Sequence, residues 1–88
     1  MQDSLDEQLA EVGALIKGAR CWRGISRGAL GRRVGLAENA IWRIETGGTC
    51  QIRNLFNVVR ALGGHLRITV YMPRPEIKRR KNRRNGYL

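Results

Sequence analysis

The sequence predicts a mainly α-helical domain of four helices, followed by one C-terminal β-strand. Apolar residues recur at three- and four-residue spacing in four segments before residue 63, and glycines separate these segments. From residue 65 the spacing changes to strict alternation, which is the period of a half-buried strand. A chain of 88 residues forms one domain at most. The predicted parts are a helical domain (1–64), a strand (65–73) and a basic tail (74–88).

The first helix is predicted from Ser4 to about Trp22. Ser4 and Glu7 have the spacing of a capping box, in which each side chain bonds the other residue's backbone N–H. Gly13 and Gly18 indicate either close packing or a soft helix. One apolar stripe runs along this helix and is predicted to be its buried face: Leu5, Leu9, Val12, Ile16 and Ala19.

Two short helices are predicted next, over Ser26–Val34 and Ala37–Thr46. Ser26 is a good N-cap, and Gly35 suits the turn between the segments because glycine tolerates a positive φ. Ala37 has no side-chain acceptor, so the second segment begins without a good cap. Their inward faces are predicted to carry Leu30, Val34, Ile41 and Ile44. Two short helices around a glycine turn have the layout of a helix-turn-helix.

The fourth helix is predicted to open at Thr49 or Cys50 and to end at Gly63-Gly64. Its predicted apolar face consists of Ile52, Leu55, Phe56, Val59 and Leu62. The strand that follows alternates Leu66, Ile68, Val70 and Met72 with polar residues, and Pro73 stops it. Because one strand cannot satisfy its own backbone groups, it needs a partner. We expect the same strand of a second subunit, paired across a two-fold axis.

Charge is the strongest compositional signal. The net charge is +10, and 14 of the 17 basic residues are Arg. Four of the seven acids lie in the first eleven residues, so that residues 12–88 carry a net charge of +14. Such an imbalance suits a polyanion, either nucleic acid or an anionic membrane surface. Arg favours nucleic acid because its guanidinium pairs in two-point geometry with phosphate and guanine.

Several other classes of protein are not favoured. No apolar run approaches a membrane span, and the acidic start is unlike a signal peptide. Cys21 and Cys50 read as reduced thiols and, with one histidine, do not make a zinc site. His65 has no catalytic partner at a suggestive spacing, and no phosphate-binding loop or paired carboxylates appear. We expect a cytoplasmic, nucleoid-associated protein without enzymatic activity or cofactor.

Residues 16–62 resemble the Xre/Cro-type helix-turn-helix regulators. The residues that carry the resemblance are Arg20, Ser26, Leu30, Gly31, Val34, Gly35, Ile41, Ile44, Glu45 and Gly47, followed by Leu55 and Ala61-Leu62-Gly63. The resemblance implies a four-helix, lambda-repressor-like domain, and an internal ion pair between Arg20 and Glu45. The family's fifth helix is missing. A strand directly after the fourth helix resembles the antitoxin-type members, in which strands pair across the dimer.

The resemblance also implies a set of DNA contacts. Base readers are expected on the exposed face of the third helix: Glu38, Asn39, Trp42 and Arg43. Arg27 matches the family's phosphate-contacting position, and further phosphate ligands are expected at Arg32, Arg33, Gly48, Thr49 and Arg53. Trp42 has an equally weighted alternative as a half-buried core aromatic. The tail adds Lys78, Arg79, Arg80, Lys81, Arg83 and Arg84. Three positions depart from the family pattern: Arg27, Ala37 and Glu38.

The function we expect is sequence-specific binding of double-stranded DNA by a homodimeric transcriptional regulator, most simply a repressor. Two alternatives stay open from the sequence. In the first alternative, the chain is an antitoxin or antiactivator that neutralises another protein, in line with its small size, acidic N-terminal segment and C-terminal strand. Alternatively, the Arg-rich tail binds RNA. The sequence specifies neither the operator nor a cognate protein partner.

Overall fold

The computed structural model describes residues 4–74 and contains four α-helices in this range. Helix α1 is Leu5–Trp22, α2 is Arg27–Val34, α3 is Glu38–Glu45 and α4 is Ile52–Ala61. Helix α3 packs against both α1 and α2, and α2 also packs against α4. The central position of α2 and α3 means that both short helices are held from more than one side. The prediction of four helices is confirmed for these residues.

Local capping sets the starts of α1 and α2 and the end of α2 at the predicted places. The Glu7 N–H donates to Ser4 Oγ at 3.1 Å, and the Ser4 N–H donates to Glu7 Oε1 at 3.1 Å. Ser26 caps α2 by accepting from the Ala29 N–H at 3.0 Å. Gly35 ends α2 with a φ of 75°, in the left-handed region where a Cβ would be strained. Ala37 starts α3 without a side-chain cap, as predicted.

The core is small and lies where the helices converge. Its buried apolar residues are Ile16, Leu30, Ile41, Ile44, Val58 and Leu62. The predicted inward face of α2 and α3 is confirmed, with Val34 partly buried at the edge of this cluster. Gly31 is buried against the turn before α3, and an added Cβ would overlap the Leu36 carbonyl oxygen. The turn can therefore lie directly on α2 only because residue 31 has no side chain.

The buried face of α4 agrees only in part with the predicted one: Leu62 is buried, and Leu55 and Val59 are partly buried against the core. Val58 is fully buried, whereas Ile52 and Phe56 are exposed. The helix begins at Ile52, with Gln51 as N-cap, rather than at Thr49 or Cys50. Two apolar stripes adjoin on this helix, and only one of them faces α2. Likewise Leu5 of α1 is exposed because it lies beyond the end of the core.

The predicted strand does not form within the single chain. Residues 65–72 have no helix or strand assignment, and the side chains of Ile68, Val70 and Met72 are exposed. A strand needs a neighbour for its N–H and C=O groups, and residues 4–74 supply no second strand. The single chain therefore contains no strand among the described residues, and the predicted pairing across a dimer stays a prediction. The basic tail from residue 75 onward lies outside the described residues.

Candidate nucleic-acid interface

A buried ion cluster joins three of the four helical segments around Glu45. Arg20 Nε donates to Glu45 Oε2 at 2.6 Å, and Arg20 Nη2 donates to Glu45 Oε1 at 3.2 Å. Arg27 Nε donates to the same Oε1 at 3.0 Å. The Arg20 Nη1 group bonds the Ile25 carbonyl at 2.9 Å, which fixes the turn between α1 and α2. The two-point geometry of Arg20 gives direction as well as charge to this contact.

The two guanidiniums keep Glu45 ionised inside the fold. Glu45 and Arg20 are only 6% and 8% exposed. Burial by itself raises the pKa of Glu45, but the hydrogen bonds from Arg20 and Arg27, together with their charges, outweigh burial and lower it. The hydrogen bond to Glu45 raises the pKa of Arg20. The predicted Arg20–Glu45 ion pair is present, and Arg27 is an additional member that the sequence did not predict.

An open cleft lies beside this cluster, between the first turn of α2 and the exposed face of α3. It has a volume of about 500 Å³ and is lined by Arg27, Glu38, Asn39 and Trp42. Arg27 has its Nε held by Glu45, which limits the directions that its terminal nitrogens can take. The cleft therefore combines a fixed cation, a carboxylate, an amide and an indole. These are hydrogen-bonding groups suited to base edges and phosphate.

Trp42 lies on the surface of α3 rather than in the core. Its side chain is half exposed, at 50%, and it is not part of the buried cluster. The structure therefore does not support the alternative that Trp42 is a core aromatic. Its indole lies with Asn39 and Glu38 along one side of the cleft. Three of the four predicted base readers are thus brought together.

The fourth, Arg43, lies apart from the cleft at the end of α3. Its aliphatic stem covers Gly48, where an added Cβ would lie 2.5 Å from Arg43 Cγ. The Gly48 N–H donates to the Arg43 carbonyl at 2.8 Å, and the Gly47 N–H donates to the Ile44 carbonyl at 3.1 Å. A phosphate that binds the Gly48 N–H would have to replace the hydrogen bond of this group to the Arg43 carbonyl. Of the predicted Gly48–Thr49 pair, Thr49 is the better placed amide.

The remaining predicted phosphate ligands are exposed cations on neighbouring elements. Arg32 and Arg33 lie in the last turn of α2, and Arg53 lies in the first turn of α4. The Arg32 guanidinium extends back over Gly28, since a Cβ there would lie 3.6 Å from Arg32 Nη1. The predicted tail contacts, from Lys78 to Arg84, lie outside the described residues.

Sequence reasoning did not predict that Glu45 accepts hydrogen bonds from two arginines, Arg20 and Arg27. The Arg27 assignment came from its matched position alone, which indicated a phosphate contact. A usable signal was present, because Glu45 is the only acid between residues 39 and 75 and many cations lie around it. Only the crossing of α2 over α3, however, brings the partners within 3.0 Å across 18 positions of sequence.

No family model matches the chain, and no curated protein matches it. Within residues 4–74, no helix has the length and apolar character needed to cross a bilayer. The same residues contain no group of three or more His, Cys, Asp or Glu side chains placed to hold a metal ion.

Proposed function

We propose that this chain binds double-stranded DNA in a sequence-specific manner, as a homodimeric transcriptional regulator of the Xre/Cro type. The observation that carries the proposal is the division of α3 into two faces. Ile41, Ile44 and Glu45 are buried against the rest of the domain. Glu38, Asn39 and Trp42 face solvent, beside a cation that the core holds in place. A helix presented in this way is suited to enter a major groove.

The dimensions and charges of the domain support this mode of binding. Helix α3 has 8 residues, so at about 1.5 Å per residue it is roughly as long as the major groove is wide. Exposed Arg32 and Arg33 on α2 and exposed Arg53 on α4 would neutralise phosphates. Arg27 would contact a phosphate next to the base pair that the first turn of α3 reads. The simplest regulatory outcome of such binding is repression by occlusion.

The dimer would form through residues 65–72. In the isolated chain this segment exposes Ile68, Val70 and Met72, and it starts beside an apolar groove between α1 and α4. Antiparallel pairing of two such segments would satisfy their backbone groups and bury these side chains. To place two α3 helices in successive major grooves, this pairing would have to set them about 34 Å apart, the spacing of half-sites separated by roughly 10 bp.

The function is tested by selection from random duplex DNA at physiological salt with the full chain. A two-fold-symmetric consensus is expected, and Asn39→Ala should lose it. Lys17→Ala, which removes an exposed cation from α1, is the matched control and should keep it. With about 6–10 phosphate contacts, affinity should fall on the order of 10³–10⁵-fold between 50 and 200 mM salt. No enrichment in the selection, or a flat salt response, contradicts the proposal.

The dimer is tested separately by molar mass in solution. Ile68→Asp places a charge on the strand face predicted to be buried and should give a monomer. Thr69→Asp places the same charge on the opposite face and should leave the dimer intact. Deletion of residues 65–88 should also give a monomer. If that deletion still dimerises, the interface lies elsewhere.

A second function is favoured by the apolar surface. The apolar groove between α1 and α4 has a volume of about 280 Å³, and its lining includes Val12, Leu15, Val59, Leu62 and Leu66. The side chain of Leu15 is 74% exposed. Such a surface also suits an antitoxin or antiactivator that holds another protein. Stable co-purification with a protein encoded next to this chain, lost on Leu15→Asp and kept on Glu11→Gln, would support this function. Antitoxins of the resembled family often bind DNA as well, so the two functions are compatible.

A further inference from the structure

Glu38 is the one acidic side chain that faces the candidate interface. Between residues 12 and 74 the chain has two acids, and the other, Glu45, is buried between two guanidiniums. Glu38 is exposed and forms no ion pair with any residue that the structure describes. An unneutralised carboxylate on a surface that approaches a polyanion opposes binding. The position therefore needs a reason other than affinity.

Two cations, Arg27 and Arg32, lie near the Glu38 carboxylate without forming an ion pair with it. It shares the cleft with Arg27, Asn39 and Trp42. Gly28 leaves open the space next to it, where an added Cβ would lie 3.6 Å from both Glu38 Oε1 and Arg32 Nη1. The nearby positive charge reduces the repulsion between this carboxylate and phosphate. The carboxylate can therefore approach a base pair and keep its oxygens free to accept hydrogen bonds.

The chemistry of a carboxylate restricts which base it tolerates. It accepts hydrogen bonds and donates none when ionised. In the major groove guanine presents two acceptors and thymine presents an acceptor and a methyl group, so both repel it. Adenine offers its N6 donor next to the N7 acceptor. Cytosine offers the N4 donor with no acceptor on the same base edge, and it is the base that fits a carboxylate best.

We propose that Glu38 is a specificity-determining residue that requires cytosine at one base pair of each half-site and rejects the other three bases mainly by repulsion. This inference rests on the proposed DNA-binding function. The negative charge of Glu38 would lower the affinity for DNA in general and would disfavour the wrong bases more strongly than cytosine. Specificity would then come from repulsion of the wrong bases. Arg27 and Arg32 make this charge tolerable, and the neighbouring Asn39 reads a different base.

A purely structural role for Glu38 makes a different prediction. Glu38 is the first residue of α3, where a carboxylate also stabilises the positive end of the helix dipole. Loss of that role would lower stability and weaken binding to all sequences alike. Only a base reader changes the preference at a single base pair. The readout is therefore the base preference at each position, measured with equal amounts of folded protein.

The test is the selection from random duplex DNA, run on the wild type, Glu38→Gln and Glu11→Gln. Glu11→Gln removes one exposed acid from α1, outside the cleft, and is the matched control. The wild type should select cytosine at one pair per half-site, with roughly 5- to 150-fold weaker binding when that cytosine is replaced. Glu38→Gln should lose this preference, accept adenine there and keep the rest of the consensus. Glu11→Gln should keep the whole consensus.

Each other outcome overturns a different statement. A wild-type consensus that Glu38→Gln leaves unchanged, or one that Glu38→Gln weakens equally at all positions, refutes the role of Glu38 while DNA recognition stands. A Glu38-dependent base pair that is not cytosine refutes the chemical assignment. No consensus from the wild type refutes the proposed function, and the inference falls with it.

Discussion

Replacement of Glu45 by alanine should remove a large fraction of the stability of the domain. The carboxylate accepts three hydrogen bonds, two from Arg20 and one from Arg27, at 2.6, 3.2 and 3.0 Å. After substitution Arg20 would keep its charge at 8% exposure, with the Ile25 carbonyl as its remaining partner. Breaking a buried ion pair from one side costs about 3–5 kcal/mol. A domain of this size is stable by only roughly 4–13 kcal/mol in total.

The measurement is the free energy of unfolding in urea, followed by circular dichroism at 222 nm. Glu45→Ala should shift it by at least about 3 kcal/mol. Glu11→Ala, at an exposed acid, is the control and should stay within about 0.5 kcal/mol of the wild type. The Arg20→Ala variant should be similarly destabilised, and the double variant should be much less destabilised than the sum of the two, because both charges are then gone.

Two results would refute this reasoning. If Glu45→Ala lies within about 1 kcal/mol of the wild type, the ion cluster does not hold the helices together. If the effects of Arg20→Ala and Glu45→Ala simply add, the two side chains do not act on each other despite their 2.6 Å separation.

Three further predictions concern acid, glycine and capping. Because the pKa of Glu45 is lowered by folding, the unfolded state binds the proton more readily, so stability should be complete above about pH 4.5 and should fall as the pH drops through the lowered pKa. Unfolding measured from pH 7 to pH 2.5 checks this, and Glu45→Gln should flatten the dependence. Gly13→Ala should destabilise the domain by about 1–3 kcal/mol in urea unfolding, because its Cβ would lie 2.5 Å from the Ile44 carbonyl oxygen. Gly18→Ala has open space around it and should stabilise the domain by about 0.5–1 kcal/mol in the same assay. Ala37→Ser should stabilise by about 0.5–2 kcal/mol and slow amide exchange in the first turn of α3, since residue 37 already has the extended backbone of an N-cap; unchanged exchange would contradict this.

The starts of α1 and α2 and the end of α2 could be predicted from the sequence because they depend on local chemistry. A capping box at Ser4, a cap at Ser26 and a left-handed glycine at Gly35 involve residues a few positions apart, and each is present. The apolar face of α3 was equally readable, because polar residues separate its inward positions. The same local rule identified Ala37 as an uncapped start.

The features that could not be predicted from the sequence depend on contacts between residues that are distant in the sequence. Helix α4 has two adjoining apolar stripes, and only the position of α2 selects Val58 rather than Ile52 and Phe56. The alternation over residues 65–72 describes a strand, but a strand forms only where a second one is available. In the site, the contact of Arg27 with Glu45 depends on how two helices cross, which sequence spacing does not encode.

The position of Arg27 joins the fold to the proposed function. Its Nε contributes to the buried cluster that holds α1, α2 and α3, and its side chain lines the cleft. A change at Glu45 would therefore alter the interface even if the domain stayed folded, because Arg27 would lose its fixed direction. A freely rotating cation could bind phosphate at many angles, whereas a cation held by Glu45 would restrict where the neighbouring Glu38 carboxylate could meet a base pair. Under the proposed function, affinity would rest on the exposed arginines, and the sequence preference would rest on Asn39 and Glu38, with the buried Glu45 fixing the direction of Arg27.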